Sequence, residues 1–422
     1  MCPVDAASGR SVARLGGTLP ILAATVVAGV GAYLISLIAP AVLRIEEYAA
    51  FAVFWSVTYF VTASLAAVQN EVSRATIEAP PESPGPGPML RAFTLWTLAA
   101  AVVAGALVMA FAGPALFGGA VPALIWPFLL AIAGYVLAAT IGGVLSGLRL
   151  WGLVGLAILV DAVLRVVLVV PALLLGTDAA TIAWLVAAPF VLGPVVTWLV
   201  ARRRIVARIR FDVPTRMLVG NIASTLPGAA SAALLGTGLP ALVGLAPGAT
   251  AASIAPLIFA ATILRSPIAT VAISLQAFLI VRFRGGADRR RTVAVLGVLG
   301  LGVVVLAVLA WLLGPWAVET VFSPALVVTG QVYGLVVVSG GLVAGLYVTG
   351  AALLAAARHW WQSLGWVAAA LVTVAVLLPP WPMPLDPRLV AALLAGPIVG
   401  LAIHGVGLAR WHARRTVVDA DR

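Results

Sequence analysis

Lysine is missing from this 422-residue chain: all 25 basic residues of the Lys/Arg class are arginines. The pattern fits a GC-rich coding bias rather than a chemical need. Cysteine occurs once, as Cys2, which excludes a disulfide framework and a cysteine-based metal centre. Charge of either sign is scarce, at 9% of residues, with 14 acids and three histidines. So few charges cannot solvate a 43.1 kDa globule, and a mean hydropathy of +1.15 with 63% hydrophobic residues excludes a soluble fold. Catalytic signatures are missing too: no H-x-x-x-H, nucleophile elbow or phosphate-binding loop occurs. No enzymatic activity, cofactor or metal is therefore expected. A net charge of +11 would suggest nucleic acid in a soluble protein. In a membrane protein it points to basic loops facing the cytoplasm, and no nucleic-acid partner is expected.

What is present is long apolar runs. A membrane span needs about 20 apolar residues. Cutting at charges, Pro/Gly clusters and polar loops gives twelve spans: 18–43, 47–69, 92–112, 121–146, 153–175, 181–201, 217–245, 251–281, 293–313, 321–356, 364–378 and 390–408. The arginines test this count. Twenty-one fall on one side, at the N-terminus, in every second loop and at the C-terminus; Arg44 and Arg388 fall on the other, and Arg165 and Arg265 lie inside spans. By the excess of positive charge on the cytoplasmic side, both termini are cytoplasmic.

The two halves echo each other at a shift of 207 residues. Thr18-Leu19-Pro20 returns as Thr225-Leu226-Pro227, Gly29 and Gly31 as Gly236 and Gly238, Ala39-Pro40 as Ala246-Pro247, and Gln69 as Gln276. At a shift of 210, Arg149-Leu150-Trp151 with Gly155 returns as His359-Trp360-Trp361 with Gly365. Both halves begin on the cytoplasmic side, so the repeat is parallel. The expected fold is an all-α polytopic membrane protein of about twelve spans in two pseudo-symmetric six-helix lobes. The domains read as an N-lobe over 1–201, a basic cytoplasmic linker over 202–216 and a C-lobe over 217–422. Two such bundles suit alternating access to a central cleft.

Intramembrane charges single out candidate site residues. Arg265 lies about 14 residues into the eighth span, roughly 21 Å at 1.5 Å per residue. Facing lipid there would cost an arginine about 2.5–3.5 kcal/mol or more. It is read as facing the cleft and binding substrate; the alternative is an internal ion pair or a carbonyl cap beside Pro267. Asp161 and Arg165 are four apart in the fifth span and share a helix face. They form a self-neutralised pair, or Asp161 orients Arg165 toward the same cleft. Guanidinium forks suit phosphate oxygens. Asn70, Glu71 and Arg74 close the second span as a gate or headgroup contact, or simply as a polar helix end. Asn221 and Gln276, also candidates for that gate, are equally explained by interhelical hydrogen bonds, as are Gln331 and His404. The basic stretch 282–291 reads as a positive-inside loop.

The run "APAVLRIEEYAAFAVFWSVTYFVTASLAAVQNEVSRAT" (39–76) and the stretch from "GGVLSGLRLWGLVG" (142–155) to Arg165 resemble polysaccharide exporters. These belong to the multidrug/oligosaccharidyl-lipid/polysaccharide (MOP) flippase superfamily. The resemblance implies twelve spans in two parallel six-helix lobes and transport of an oligosaccharide on polyprenyl pyrophosphate across the bacterial cytoplasmic membrane. By it, Arg165 and Arg265 would hold the anionic headgroup. Implied partners are the lipid-linked glycan, membrane lipids and cell-envelope glycosyltransferases or polymerases. MATE drug pumps of the same superfamily use acids in the first span or the C-lobe for cation coupling, and the first span and the C-lobe spans here carry none. The rivals are a MATE-like drug or metabolite antiporter and a non-transporting scaffold for cell-envelope enzymes.

The topology is checked by reporter fusions. A fusion after Arg216 is expected to read cytoplasmic and one after Pro247 external; the reverse at either site would overturn the arginine count.

Overall fold

The computed structural model describes residues 8–78, 87–205, 209–283 and 289–420. In chain order its helices are α1 (Ser8–Val42), α2 (Ile45–Ser64), α3 (Ala66–Ala75), α4 (Gly87–Phe111), α5 (Gly113–Phe117), α6 (Val121–Gly147), α7 (Trp151–Leu174) and α8 (Ala179–Ile205). There follow α9 (Thr215–Gly236), α10 (Leu239–Gly244), α11 (Ala251–Phe283), α12 (Arg289–Val321), α13 (Gly330–Ala355), α14 (His359–Leu377) and α15 (Leu385–Ala420). Two short strands, β1 (Thr76–Glu78) and β2 (Ile209–Phe211), complete the list. Among the described residues, twelve spans are long and apolar enough to cross a membrane. The chain is a multi-pass, all-α membrane protein, as its hydropathy requires.

Contacts divide it into two compact units. The first is Met1–Ile38 with Val61–Leu226; the second is Ala39–Phe60 with Pro227–Arg422.

In the first unit α6 is central, packed on α3, α4 and α8, with α7 against α8. Val68, Val72 and Ala75 recur at helical spacing on α3 and bury that face with Phe93, Leu145, Ile205 and Leu218. The strands pair antiparallel, Thr76 opposite Phe211 and Glu78 opposite Ile209. Part of the basic linker is thereby a structured strand fastened to the end of the second span.

In the second unit α13 is the most enclosed helix, flanked by α11, α12 and α15, with α14 on α15. Gly341 lets α12 approach: a Cβ there would meet Val303. The other side of α12 exposes Val298, Leu301, Leu312 and Trp316, a surface suited to lipid.

Several boundaries differ from the sequence reading. The ninth span runs on to Val321 rather than 313, and the twelfth starts at Leu385 rather than 390. These two spans, expected to carry no acid, thereby take in Glu319 and Asp386 near their ends. The seventh span is interrupted: α9 ends at Gly236 and α10 starts at Leu239. Pro240 explains this, because it offers no N–H to Gly236 O and its ring clashes with a helical carbonyl. The tenth span begins at Gly330 rather than 321, since a 3-10 turn over Pro324–Leu326 precedes it. The second span continues past Gln69 to Ala75 after a break at Leu65. Residues 284–288 of the basic loop and 79–86 between the second and third spans lie outside the described residues.

The repeat reappears as local geometry. After α6, Leu150 N–H bonds Leu145 O and Arg149 N–H bonds Ser146 O; after α13, Arg358 N–H bonds Leu353 O and Ala357 N–H bonds Leu354 O. Both are Schellman caps whose left-handed residue is not glycine, with φ of 57° at Arg149 and at Ala357. The left-handed region strains an L-residue by about 1–2 kcal/mol. Ala357→Gly is therefore expected to stabilise the purified protein by about 1 kcal/mol, read as a higher melting midpoint. An unchanged or lower midpoint would remove the strain argument.

Candidate functional site

Arg165 sits on α7 and is 5% exposed. Its Nη2 donates to both carboxylate oxygens of Asp161, at 2.8 and 2.9 Å, and its Nη1 reaches the Val186 carbonyl of α8 at 3.5 Å. The guanidinium carbon lies 4.5 Å from the centre of the Phe190 ring. One turn of helix thus supplies the counter-ion, in the favourable order of acid before base, and α8 supplies a carbonyl and a ring face. Asp161 keeps 39% of its side chain exposed.

Arg265, on α11, is 6% exposed and is met differently. Its Nη2 donates to the Leu235 carbonyl at 3.0 Å, and its Nε is buried with no hydrogen-bond partner. Neither ion pair found among the described residues includes it. Gly340 on α13 packs beside it: a Cβ there would stand in ordinary contact with Arg265 Cγ, at 3.4 Å, and closer, at 3.2 Å, to Ile268 Cδ1. Leu235 is in the last turn of α9, where helix carbonyls lack partners and the dipole is negative. A helix end thus replaces the carboxylate. The carbonyl cap weighed against substrate binding is present, although Leu235 rather than the Pro267 region supplies it.

Arg165 belongs to the first unit and Arg265 to the second. The gate candidates are more ordinary. Glu71 and Arg74 pair at 2.8 Å, with Arg74 exposed, an arrangement of small energetic value. Asn70 is exposed, while Asn221 and Gln276 are half-buried. The Asn221 carbonyl accepts from the Ser224 and Thr225 hydroxyls of its own helix.

The sequence reading passed over Ser56. Buried on α2, its Oγ donates to Thr237 O at 2.7 Å and accepts from Ala241 N–H at 3.1 Å, bridging the gap between α9 and α10. The signal was available in "GTGLP" (236–240), two glycines and a proline inside a span. Arg388 is buried as well, donating to Pro247 O at 2.8 Å and reaching Pro379 O at 3.4 Å. His404 clasps three helices, with Nε2 to Gln362 O at 3.0 Å and Nδ1 to Thr349 Oγ1 at 2.8 Å. A carbonyl can only accept, so Nε2 carries the proton. This is the interhelical bonding expected of His404.

The fold is MATE/MOP-like. The chain is similar over 91% of its length to a solved "multidrug resistance MATE family transporter of the MOP superfamily" in an inward-facing conformation, covering 95% of that chain at TM-score 0.66 and 15% identity. It is similar over 94% to the lipid II flippase MurJ in an inward closed conformation, covering 87% of that chain at TM-score 0.66 and 12% identity. A MOP superfamily transporter from Pyrococcus furiosus, described by a reverse polarity of its binding pocket, matches at TM-score 0.56 and 14% identity, over 96% of each chain. No protein-family model matches. Among curated proteins, an uncharacterized protein of Mycobacterium tuberculosis is 29% identical over 407 residues, 95% of this chain and 92% of that one. An uncharacterized protein of Mycobacterium bovis is 31% identical over 281 residues, 66% of this chain and 65% of its own.

The Asp161–Arg165 pair gives a stability prediction. Asp161→Ala leaves a buried guanidinium without its carboxylate, and breaking such a pair costs about 3–5 kcal/mol, the lower end applying to a half-exposed acid. Adding Arg165→Met is expected to recover most of the lost melting temperature. A double variant no more stable than Asp161→Ala would show that the pair does not account for the loss.

Proposed function

We propose that this chain is a membrane transporter that moves a polyprenyl-pyrophosphate-linked oligosaccharide, a cell-envelope polysaccharide precursor, across the bacterial cytoplasmic membrane by alternating access. Both termini face the cytoplasm, and Arg265 holds the pyrophosphate. The observation that carries this reading is the state of Arg265. It is a permanent cation, buried within a span, held by one carbonyl and with an orphaned Nε. A buried charge without a carboxylate is expensive, and such intramembrane groups mark substrate paths. Pyrophosphate supplies the missing negative charge and accepts from the guanidinium edge in a two-pronged geometry. Arg165 serves less directly, because Asp161 already occupies it.

A cation-coupled antiporter fits less well. Asp161 is tied to Arg165, and the acids of the second unit's spans, Glu46, Glu47, Glu319 and Asp386, lie near helix ends. The fold likeness includes both a drug transporter and a lipid II flippase. The buried arginine favours an anionic substrate.

The test compares abundance with glycan export in cells that depend on this chain. Arg265→Ala is expected to accumulate to wild-type level while export falls by an order of magnitude or more. Arg265→Lys is expected to export at an intermediate rate, since an ammonium keeps the charge but not the fork. Normal export by well-expressed Arg265→Ala would remove Arg265 from the substrate site.

A further inference from the structure

The interruption of the seventh span has a specific chemical form. In an unbroken helix, Leu235 O would accept from Leu239 N–H, and Thr237 O from Ala241 N–H. Here the Leu235 carbonyl accepts from Arg265 Nη2 instead. The second rung is replaced by one hydroxyl: Ala241 N–H donates to Ser56 Oγ, whose proton goes to Thr237 O. The rung between them, Gly236 O to position 240, cannot form in any state, because residue 240 is proline. On the α9 side, Thr237 and Gly238 N–H both turn back to Ala233 O; on the α10 side the ladder restarts with Leu242 N–H to Gly238 O. Gly238 permits the tight turn, as a Cβ there would stand 2.9 Å from Leu234 Cα.

Two side chains from two other helices therefore sit where two helical hydrogen bonds would be. Withdrawing either need not leave backbone groups bare, because their own partners lie along the chain. Such a segment has two satisfied arrangements, open with Ser56 and Arg265 inserted, or mended around a proline kink.

We propose that the break is a switch thrown by the substrate headgroup. Resting on the reading of Arg265 as the pyrophosphate site, it runs as follows. An arriving pyrophosphate takes the guanidinium from Leu235 O, and the freed carbonyl, with no water to turn to, takes Leu239 N–H. The mended rung re-aims α10 relative to α9, so headgroup capture becomes a change in helix direction. Ser56 is a positioning residue that holds the second rung open until then.

Amide exchange by mass spectrometry, on the full chain in lipid nanodiscs, tests this with inorganic pyrophosphate as the probe. Pyrophosphate is expected to slow exchange across 237–242 by about fivefold, the change that one net hydrogen bond implies. Ser56→Ala is expected to slow it without any probe, because the direct rung from Ala241 to Thr237 becomes the only satisfied one. Faster exchange in Ser56→Ala, the result for an ordinary structural contact, would overturn the switch. Pyrophosphate that raises the melting temperature without slowing exchange would overturn the switch and leave the headgroup site standing. Pyrophosphate that does neither would overturn both.

Discussion

Hydrocarbon offers a backbone no hydrogen bonds, so every interruption of a spanning helix has to be served from within the protein. The described structure can be read as a set of answers to that constraint. Leu235 O takes a guanidinium, while Thr237 O and Ala241 N–H share a serine hydroxyl. The carbonyls of Pro247 and Pro379, beside turns that prolines impose, take the two ends of Arg388. Even where helices run unbroken the same economy holds, with the His404 ring joining a threonine hydroxyl of α13 to a backbone carbonyl of α14.

The same constraint decides how charge is tolerated. Arg165 and Arg265 are almost equally buried, at 5% and 6%, yet only one has a carboxylate. Asp161 makes Arg165 close to neutral at a distance, so it behaves as part of the scaffold. Arg265 is offset only by the partial charge at the end of α9, which is roughly half an elementary charge. No carboxylate among the described residues pairs with the rest of its charge. Burial alone would not distinguish the two; the partner does.

Much of the fold was legible because hydropathy and arginine placement are averages over long stretches. Twelve apolar runs emerge even when individual residues are ambiguous, and the Asp161–Arg165 pair follows from helical spacing alone. Three features depend on single residues and escaped. A proline after two glycines breaks the seventh span, but within an apolar run these residues also look like ordinary packing positions. The β1–β2 pairing joins residues more than a hundred positions apart, and three-residue strands carry no periodic signal. The partner of Arg265 was hidden because a backbone carbonyl has no sequence identity; only the break, once seen, makes Leu235 O available.

The internal repeat sharpens the point by where it fails. At the shift of 207, Pro240 corresponds to Tyr33, Ser56 to Ile263 and Arg265 to Thr58. These three residues are thus departures from the repeat, while the glycines of the break, Gly236 and Gly238, are kept as Gly29 and Gly31. The first span is correspondingly one continuous helix from Ser8 to Val42, while its counterpart is divided into α9 and α10. Thr58, in the place of the arginine, spends its hydroxyl on Phe54 O of its own helix. A chain that needed only a twofold scaffold would keep the two copies alike, as it does in the paired caps at Arg149 and Ala357. Proline, serine and arginine gather instead on one interruption of the seventh span, where a buried guanidinium is met by a single carbonyl, whereas Arg388, likewise without a carboxylate, is met by two. The proposed headgroup site and the proposed switch therefore both fall at the break, where the two copies differ, rather than in the symmetry around it.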